Sequence, residues 1–177
     1  MQSGWRLMAL LTATLGLGLS LVQSAGLPER LDWAPALWLS ATGHGRHYVG
    51  AGPLAALLDV APILACAVLA RLQRDLPGFV WTAAAAGLFA ASLVAWTLLV
   101  LPMIELMAGW PVSGPPSDFP LVRDQWETGH AAMAALKLAG FAALAWGQVV
   151  ARRPARETGL AETPRRRLHL PSDRIFR

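Results

Sequence analysis

Long apolar runs alternate with short polar segments along most of this chain. Four runs approach the roughly 20 residues that a helix needs to cross a hydrocarbon core about 30 Å thick. They cover residues 7–25, 49–70, 79–101 and about 128–150. Lipid offers no hydrogen-bond partner to a free backbone group, so each run is predicted to be a helix. Pro53 and Pro62 in the second run agree with this prediction, because membrane helices tolerate proline.

The predicted fold is all-α, with a transmembrane four-helix bundle over residues 1–151 and a disordered basic C-terminal tail over residues 152–177. The second and third runs are rich in Ala and Gly, and small side chains let membrane helices approach closely. The tail combines dense charge with three prolines, a composition that does not build a packed core. Charged residues make up only 15% of the chain, whereas soluble domains carry about 25%.

The basic residues predict an orientation. Lys and Arg total 15, and 11 of these precede the first run, fill the turn between the second and third, or lie in the tail. The positive-inside rule therefore predicts a multi-pass protein of the bacterial inner (cytoplasmic) membrane, with both termini cytoplasmic. The tail is expected to bind anionic lipid headgroups. Nucleic acid is not expected, because the tail lacks a series of aromatic side chains on which bases stack.

The first run has a second interpretation. "MQSGWR", an apolar core and then "VQSAG" also resemble a secretory signal peptide. The core of a signal peptide is usually about 7–15 residues long, and this run is longer, so a retained helix is expected.

The fourth run carries ionisable groups on one face. At about 100° per residue, Glu127, His130, Lys137 and Gln148 fall within roughly 80° of one another, and Arg123 joins them if the helix begins early. A polar stripe on a membrane helix faces the bundle interior or water rather than lipid. The sequence therefore predicts that this stripe points inward.

Lys137 is predicted to form an intramembrane ion pair with Asp59. The second and fourth runs cross in the same direction, and each charge lies about 15 Å below the outer end at 1.5 Å per residue. Pro62 removes the helical donor of the Leu58 carbonyl, which is a second expected acceptor for Lys137. The pair either handles protons, orients a substrate or clamps two helices, and the sequence leaves these readings open.

A second polar group is expected at the outer mouth of the bundle. Glu127 and His130 are spaced i, i+3 on one helix face, and a histidine beside a carboxylate is a suitable general base near neutral pH. We expect neither a cofactor nor a metal, because a di-iron site needs two Glu-x-x-His motifs and this chain has one. A haem held by His47 and His130 is the alternative. The full group is His44, His47, Tyr48, Glu105, Glu127 and His130.

The stretch "LPMIELMAGW…PPSDFPLVRDQWETGHAAMAAL" resembles the anthrone oxygenase-like family of small four-span membrane proteins, which are mostly bacterial. The positions that carry the resemblance are Pro102, Trp110, Arg123, Trp126 and His130. The chain departs from the family pattern in two places. Glu105 stands near the position of a frequent asparagine, and Met133 stands where an arginine is frequent.

The resemblance implies cofactor-free oxidation of an aromatic or quinol-like substrate. His130 would be the base, with Glu127 beside it, and Arg123 or Lys137 would stabilise the developing negative charge. Trp110 and Trp126 would cover a flat ring, and the substrate site would be completed by His47 and Tyr48.

Two other hypotheses stay open. The protein is either a non-enzymatic structural or assembly subunit, with the polar stripe holding helices together, or a small proton-path or transport subunit that uses Asp59 and Lys137. The transport hypothesis lacks an inverted repeat, which many secondary transporters contain.

Overall fold

The structure, a computed structural model, describes residues 2–42, 47–110, 114–115 and 117–151, and the side chains of 47–53 lie outside this description. All regular structure in these ranges is helical, as predicted. The helices are α1 (Gln2–Ala25), α2 (Leu27–Arg30), α3 (Pro35–Ala41), α4 (His47–Leu72), α5 (Phe79–Ala95), α6 (Leu101–Ala108) and α7 (Phe119–Ala151), and a π-helical turn, Trp96–Val100, joins α5 to α6. The predicted tail, 152–177, lies outside the described residues.

Within the described residues, four helical segments are long and apolar enough to cross a membrane. This agrees with a multi-pass membrane protein. The fourth segment begins at Phe119, before the predicted start at residue 128, because its first turns are amphipathic and bury Phe119, Val122 and Trp126. An apolar run marks only the part of a helix that is hydrophobic on all sides, so it misses such a turn. The segments are Gln2–Ala25, Leu54–Leu72, Phe79–Ala108 and Phe119–Ala151.

The four long helices pack in a ring, in which α1 and α5 each contact both α4 and α7. We call the end that holds the start of α1 the terminal end, and the end that holds α2 and α3 the loop end. Each half has its own apolar core. The core nearer the terminal end contains Ala9, Ala13, Ala65, Cys66, Leu69, Ala85, Phe89 and Leu144. The core nearer the loop end contains Trp38, Val100, Met103, Met107, Phe119, Val122, Trp126 and Met133.

Glycines set the closest helix approaches. A Cβ atom on Gly16 of α1 would lie 2.7 Å from the Leu58 carbonyl oxygen of α4, and a Cβ on Gly78 would lie 2.7 Å from the Gly147 carbonyl oxygen. Pro62 has no N–H group to offer the Leu58 carbonyl. That carbonyl instead faces the bare backbone of α1, and small residues allow this contact between membrane helices.

The π-helical turn explains why the third segment continues past Pro102. Proline cannot donate to the carbonyl four residues earlier and normally kinks or ends a helix. Here the Leu101 N–H donates to the Trp96 carbonyl, five residues back, and α6 follows without a break. Val100 of this turn meets α7 at Gly129, where a Cβ would lie 2.8 Å from the Val100 Cγ2 atom.

Replacing Gly16 by alanine is expected to lower the thermal unfolding midpoint of the detergent-purified protein. The new methyl group would meet a backbone oxygen, which yields less easily than the end of a flexible side chain, and such overpacking costs about 1–3 kcal/mol. Gly18→Ala is the matched control, because Gly18 lies on the same helix with no heavy atom within 4 Å of its ideal Cβ. A midpoint that falls equally in both variants would contradict this packing.

Candidate functional site

The buried Glu127 carboxylate of α7 is the centre of a hydrogen-bonded group at the loop end. Arg30 donates from Nε to Oε1 and from Nη2 to Oε2, each at 2.6 Å, and Trp38 Nε1 donates to Oε1 at 2.9 Å. The Glu127 side chain is only 1% exposed. Both of its oxygens are therefore satisfied by groups from the segment between α1 and α4, and a two-pronged arginine contact of this kind is strong and directional.

The local sequence places Arg30 at this carboxylate. Gly26 ends the first span, and a Cβ there would lie 2.7 Å from Arg30 Nη1, so the glycine leaves space for the guanidinium group. Pro28 occupies the first turn of α2, a position that tolerates proline because its backbone donor would be unpaired anyway. Arg30 also donates from Nη2 to the Gln23 carbonyl at 2.5 Å, which ties the guanidinium to α1.

Aromatic rings surround this ion pair. Trp38 meets Phe119 and Trp126 edge to face, with ring centroids 5.6 and 5.3 Å apart. Trp110 is tilted against Phe119 at 6.0 Å, and the Arg123 guanidinium lies 5.6 Å from the Phe119 ring centroid. The charged group at the loop end thus lies in a largely apolar, aromatic surrounding, where an ion pair is weakly screened by water.

His130 is held by the backbone rather than by Glu127. Its Nδ1 atom lies 2.9 Å from the Trp126 carbonyl oxygen, and its ring centroid is 4.0 Å from that of Trp126. A carbonyl only accepts, so Nδ1 carries the proton, and Nε2 of the neutral ring is the basic nitrogen. Glu127 and His130 share a face of α7, as their spacing predicts, but the Glu127 carboxylate binds Arg30 and not the imidazole.

The two mid-span charges are in contact. Lys137 Nζ donates to Asp59 Oδ1 at 2.5 Å and to Ser20 Oγ at 2.7 Å. The second acceptor is therefore Ser20 of α1 and not the predicted Leu58 carbonyl, which packs on Gly16 instead. The site joins α1, α4 and α7 at one level of the bundle, two helical turns from His130.

The other predicted site residues are less closely connected. Arg123 pairs with the neighbouring Asp124, Nε to Oδ1 at 3.0 Å, and lies about 10 Å from His130 along the axis of α7. Glu105 is exposed on α6 and takes no part in the group. The side chains of His44, His47 and Tyr48 lie outside the described residues. In the described part of the chain, no group of three or more His, Cys, Asp and Glu residues is arranged to hold a metal ion.

Three residues that complete these sites could not be identified from the sequence pattern. Arg30 and Trp38 lie between the first two apolar runs and carry no signal of their own, although a buried Glu127 requires a cation and additional donors. Ser20 carried a weak signal. Ser20 and Ser24 are spaced i, i+4 in a mostly apolar helix and therefore share a face. Ser24 Oγ donates to the His130 carbonyl at 3.3 Å.

A separate polar group lies at the terminal end. Thr82 Oγ1 donates to Gln73 Oε1 at 2.9 Å, and Gln2 Nε2 donates to the Leu72 carbonyl at 3.0 Å. Gln148 belongs to the same end and follows Lys137 by about 16 Å along α7. The apolar core nearer the terminal end fills the space between the ion pair and this group.

The chain matches no protein-family model, no curated protein and no solved structure.

Breaking the Arg30–Glu127 pair on one side is expected to destabilise the protein by about 3–5 kcal/mol, because a buried charge loses its partner. Arg30→Leu and Glu127→Leu should each lower the free energy of unfolding in detergent, and the double variant should recover most of the loss. Asp75→Asn is the control, since its pair with Arg74 is exposed and should contribute little. If the single variants were as stable as this control, the buried ion pair between Arg30 and Glu127 would be refuted.

Proposed function

We propose that this protein is a cofactor-free oxidoreductase or oxygenase of the bacterial inner membrane that acts on an aromatic or quinol-like substrate at its outer face. The observation that carries the proposal is the tautomer of His130 and the position of its ring. Its Nδ1–H group is bound to the Trp126 carbonyl, so Nε2 is the basic nitrogen, and the ring lies against an indole. A base with a fixed tautomer beside a flat apolar surface suits proton removal from an aromatic substrate.

The reaction needs a base, a substrate with an activated C–H bond and dioxygen. His130 Nε2 accepts the proton, and the carbanion that remains transfers electrons to dioxygen and forms a C–O bond. For an anthrone, loss of one water then leaves the quinone carbonyl. The CH₂ carbon loses four electrons and dioxygen gains four, with one oxygen atom in the quinone and the other in water. The predicted resemblance to the anthrone oxygenase-like family supports this reaction class.

Glu127 takes a different role from the predicted one. Because Arg30 and Trp38 bind both of its oxygens, we assign Glu127 to positioning. It anchors the segment that contains α2 and α3 over the first turns of α7, where Trp126 and His130 lie. Arg123 and Trp110 lie on the same side of the bundle, around Phe119, and we retain them as residues that border the substrate site.

His130→Gln is expected to reduce turnover of an anthrone by at least about 100-fold while leaving the thermal midpoint near that of the wild type, because glutamine keeps a polar side chain but supplies no base. Oxygen consumption and quinone absorbance would be followed with protein in lipid nanodiscs, after subtraction of spontaneous oxidation. Thr128→Ala is the control, since Thr128 is exposed on the same helix. Undiminished turnover in His130→Gln would exclude this residue as the base.

A second candidate is a non-enzymatic structural or assembly subunit. The observation that favours it is that the buried charged side chains Glu127 and Lys137 both have partners within the chain. Two results together would support this function. The wild type would show no turnover, and variants of His130, Asp59 and Lys137 would lose stability without any other measurable change. A proton path through the bundle has less support, because the apolar core nearer the terminal end separates the Asp59–Lys137 pair from the polar group at that end.

The proposed orientation has both termini in the cytoplasm, with α2, α3 and the segment before α7 outside. It follows from the 11 basic residues at the terminal end and in the tail. A reporter enzyme that is active only in the cytoplasm, fused after Arg177, is expected to be active, and the same reporter inserted after Gly114 is expected to be inactive. The reverse pattern would overturn the orientation and the outer location of the site.

A further inference from the structure

The segment between α1 and α4 is attached to the bundle through few of its own side chains. We call residues 26–42 the strap, and it contains α2 and α3. Trp38 is the one residue of the strap that is buried, while Trp33 and Leu39 are partly buried against the apolar core nearer the loop end. A segment that buries so little surface is expected to open at a lower free energy than the long helices beneath it.

The backbone of the strap is hydrogen-bonded to itself. The N–H groups of residues 30–33, 38 and 42 donate to carbonyl groups between residues 26 and 38. Within the described part of the chain, neither α2 nor α3 shares a backbone hydrogen bond with one of the long helices. Moving the strap away from α7 therefore breaks none of the backbone hydrogen bonds that give the strap its shape.

The Glu127 carboxylate holds the strap to α7. Arg30 Nε and Nη2 donate to its two oxygens at 2.6 Å, and Trp38 Nε1 donates to Oε1 at 2.9 Å. Among the described residues, these three hydrogen bonds are the ones that join the strap to α7, and we call them the latch. Because all of them end on one side chain, they are expected to break together.

The strap covers two aromatic rings of α7. Trp38 meets Phe119 and Trp126 edge to face, and these two residues are only 4% and 2% exposed. The Trp126 ring in turn lies 4.0 Å from that of His130. Removal of the Trp38 ring would uncover Phe119 and Trp126, and His130 is the next ring along α7.

We propose that the strap is a lid. It swings off α7 as one unit when Arg30 and Trp38 release Glu127, and the rings beneath it become accessible while the four long helices stay packed. Gly26, between α1 and α2, is the hinge, because glycine has the most permissive backbone. Segments that close over a site control access to it in many proteins. The passage of a substrate to His130 rests on the proposed function, but the opening of the strap does not.

Cysteine labelling tests whether the strap opens by itself. Val122 lies on α7 between Phe119 and Trp126 and is 5% exposed, so a thiol at this position is covered while the strap is closed. Val122→Cys would be made together with Cys66→Ala, and the purified protein in detergent would be treated with a charged thiol reagent. The reference is the native protein, whose single cysteine, Cys66, is fully buried in the core nearer the terminal end.

The introduced thiol is expected to react at least about 10-fold faster than Cys66, because opening of the strap reaches it without global unfolding. Each rate would be divided by the rate of the same thiol in denatured protein. Equal rates would mean that the strap opens only when the bundle unfolds, and they would overturn the proposal. If the thermal midpoint shows that Val122→Cys does not fold, Met133→Cys is the reporter, since Met133 belongs to the same core and is 4% exposed.

Trp38→Phe then tests the latch. Phenylalanine keeps an aromatic ring but supplies no N–H donor, and loss of a hydrogen bond to a charged group is expected to speed labelling at position 122 by about 10-fold or more. Labelling of Cys66 should not change. Leu37→Ala is the control, because Leu37 is 51% exposed on α3, and it should leave both rates unchanged. No increase at position 122, or an equal increase at both thiols, would refute the lid.

The labelling experiment separates the lid from the proposed function, because it involves no turnover. If the wild type shows no turnover but labelling is fast and depends on Trp38, the enzymatic proposal fails and the lid stands. Equal labelling rates in a protein that oxidises an anthrone would remove the lid and leave His130 as the base.

Discussion

The burial of the Glu127 carboxylate is the constraint on which the loop end of this protein depends. A charge removed from water costs several kcal/mol unless hydrogen bonds of good geometry replace its hydration. Three N–H groups do so here, two from Arg30 and one from Trp38, at 2.6 to 2.9 Å. All three N–H groups belong to the connection between α1 and α4. The ion pair therefore determines where that connection lies and keeps it over the first turns of α7.

Two ion pairs lie at different heights along α7 in the half of the bundle nearer the loop end. Arg30 and Glu127 form the first, Lys137 and Asp59 form the second, and His130 lies on α7 between them. Both pairs bridge α7 to other segments of the chain, so His130 lies on a helix that is anchored on each side of it. A rigid support is what the proposed role of His130 as a base requires, because small displacements of a reacting group reduce rate strongly.

The depth of Asp59 and Lys137 along their helices could be predicted from the sequence, but the direction in which each side chain points could not. A helix rises 1.5 Å per residue, so counting from the predicted outer ends of the two apolar runs placed Asp59 and Lys137 at one level. Whether they meet depends on how α4 and α7 are rotated, which packing decides. The same limit applies to the partner of Glu127. Helical spacing puts His130 on its face, but its partner Arg30 lies 97 residues away in the chain, and no local pattern connects them.

The sequence by itself determined the all-helical fold, the four long apolar segments and the inward stripe on α7, because hydrocarbon thickness and the lack of hydrogen-bond partners in lipid leave few alternatives. Only the tertiary structure decided which partner each buried group takes: Arg30 for Glu127, Ser20 as well as Asp59 for Lys137, and the Trp126 carbonyl for His130. The reason is physical. The length of a helix follows from composition, whereas a hydrogen bond requires two groups to lie within about 3 Å in the right direction, and only the packed arrangement of helices sets that distance.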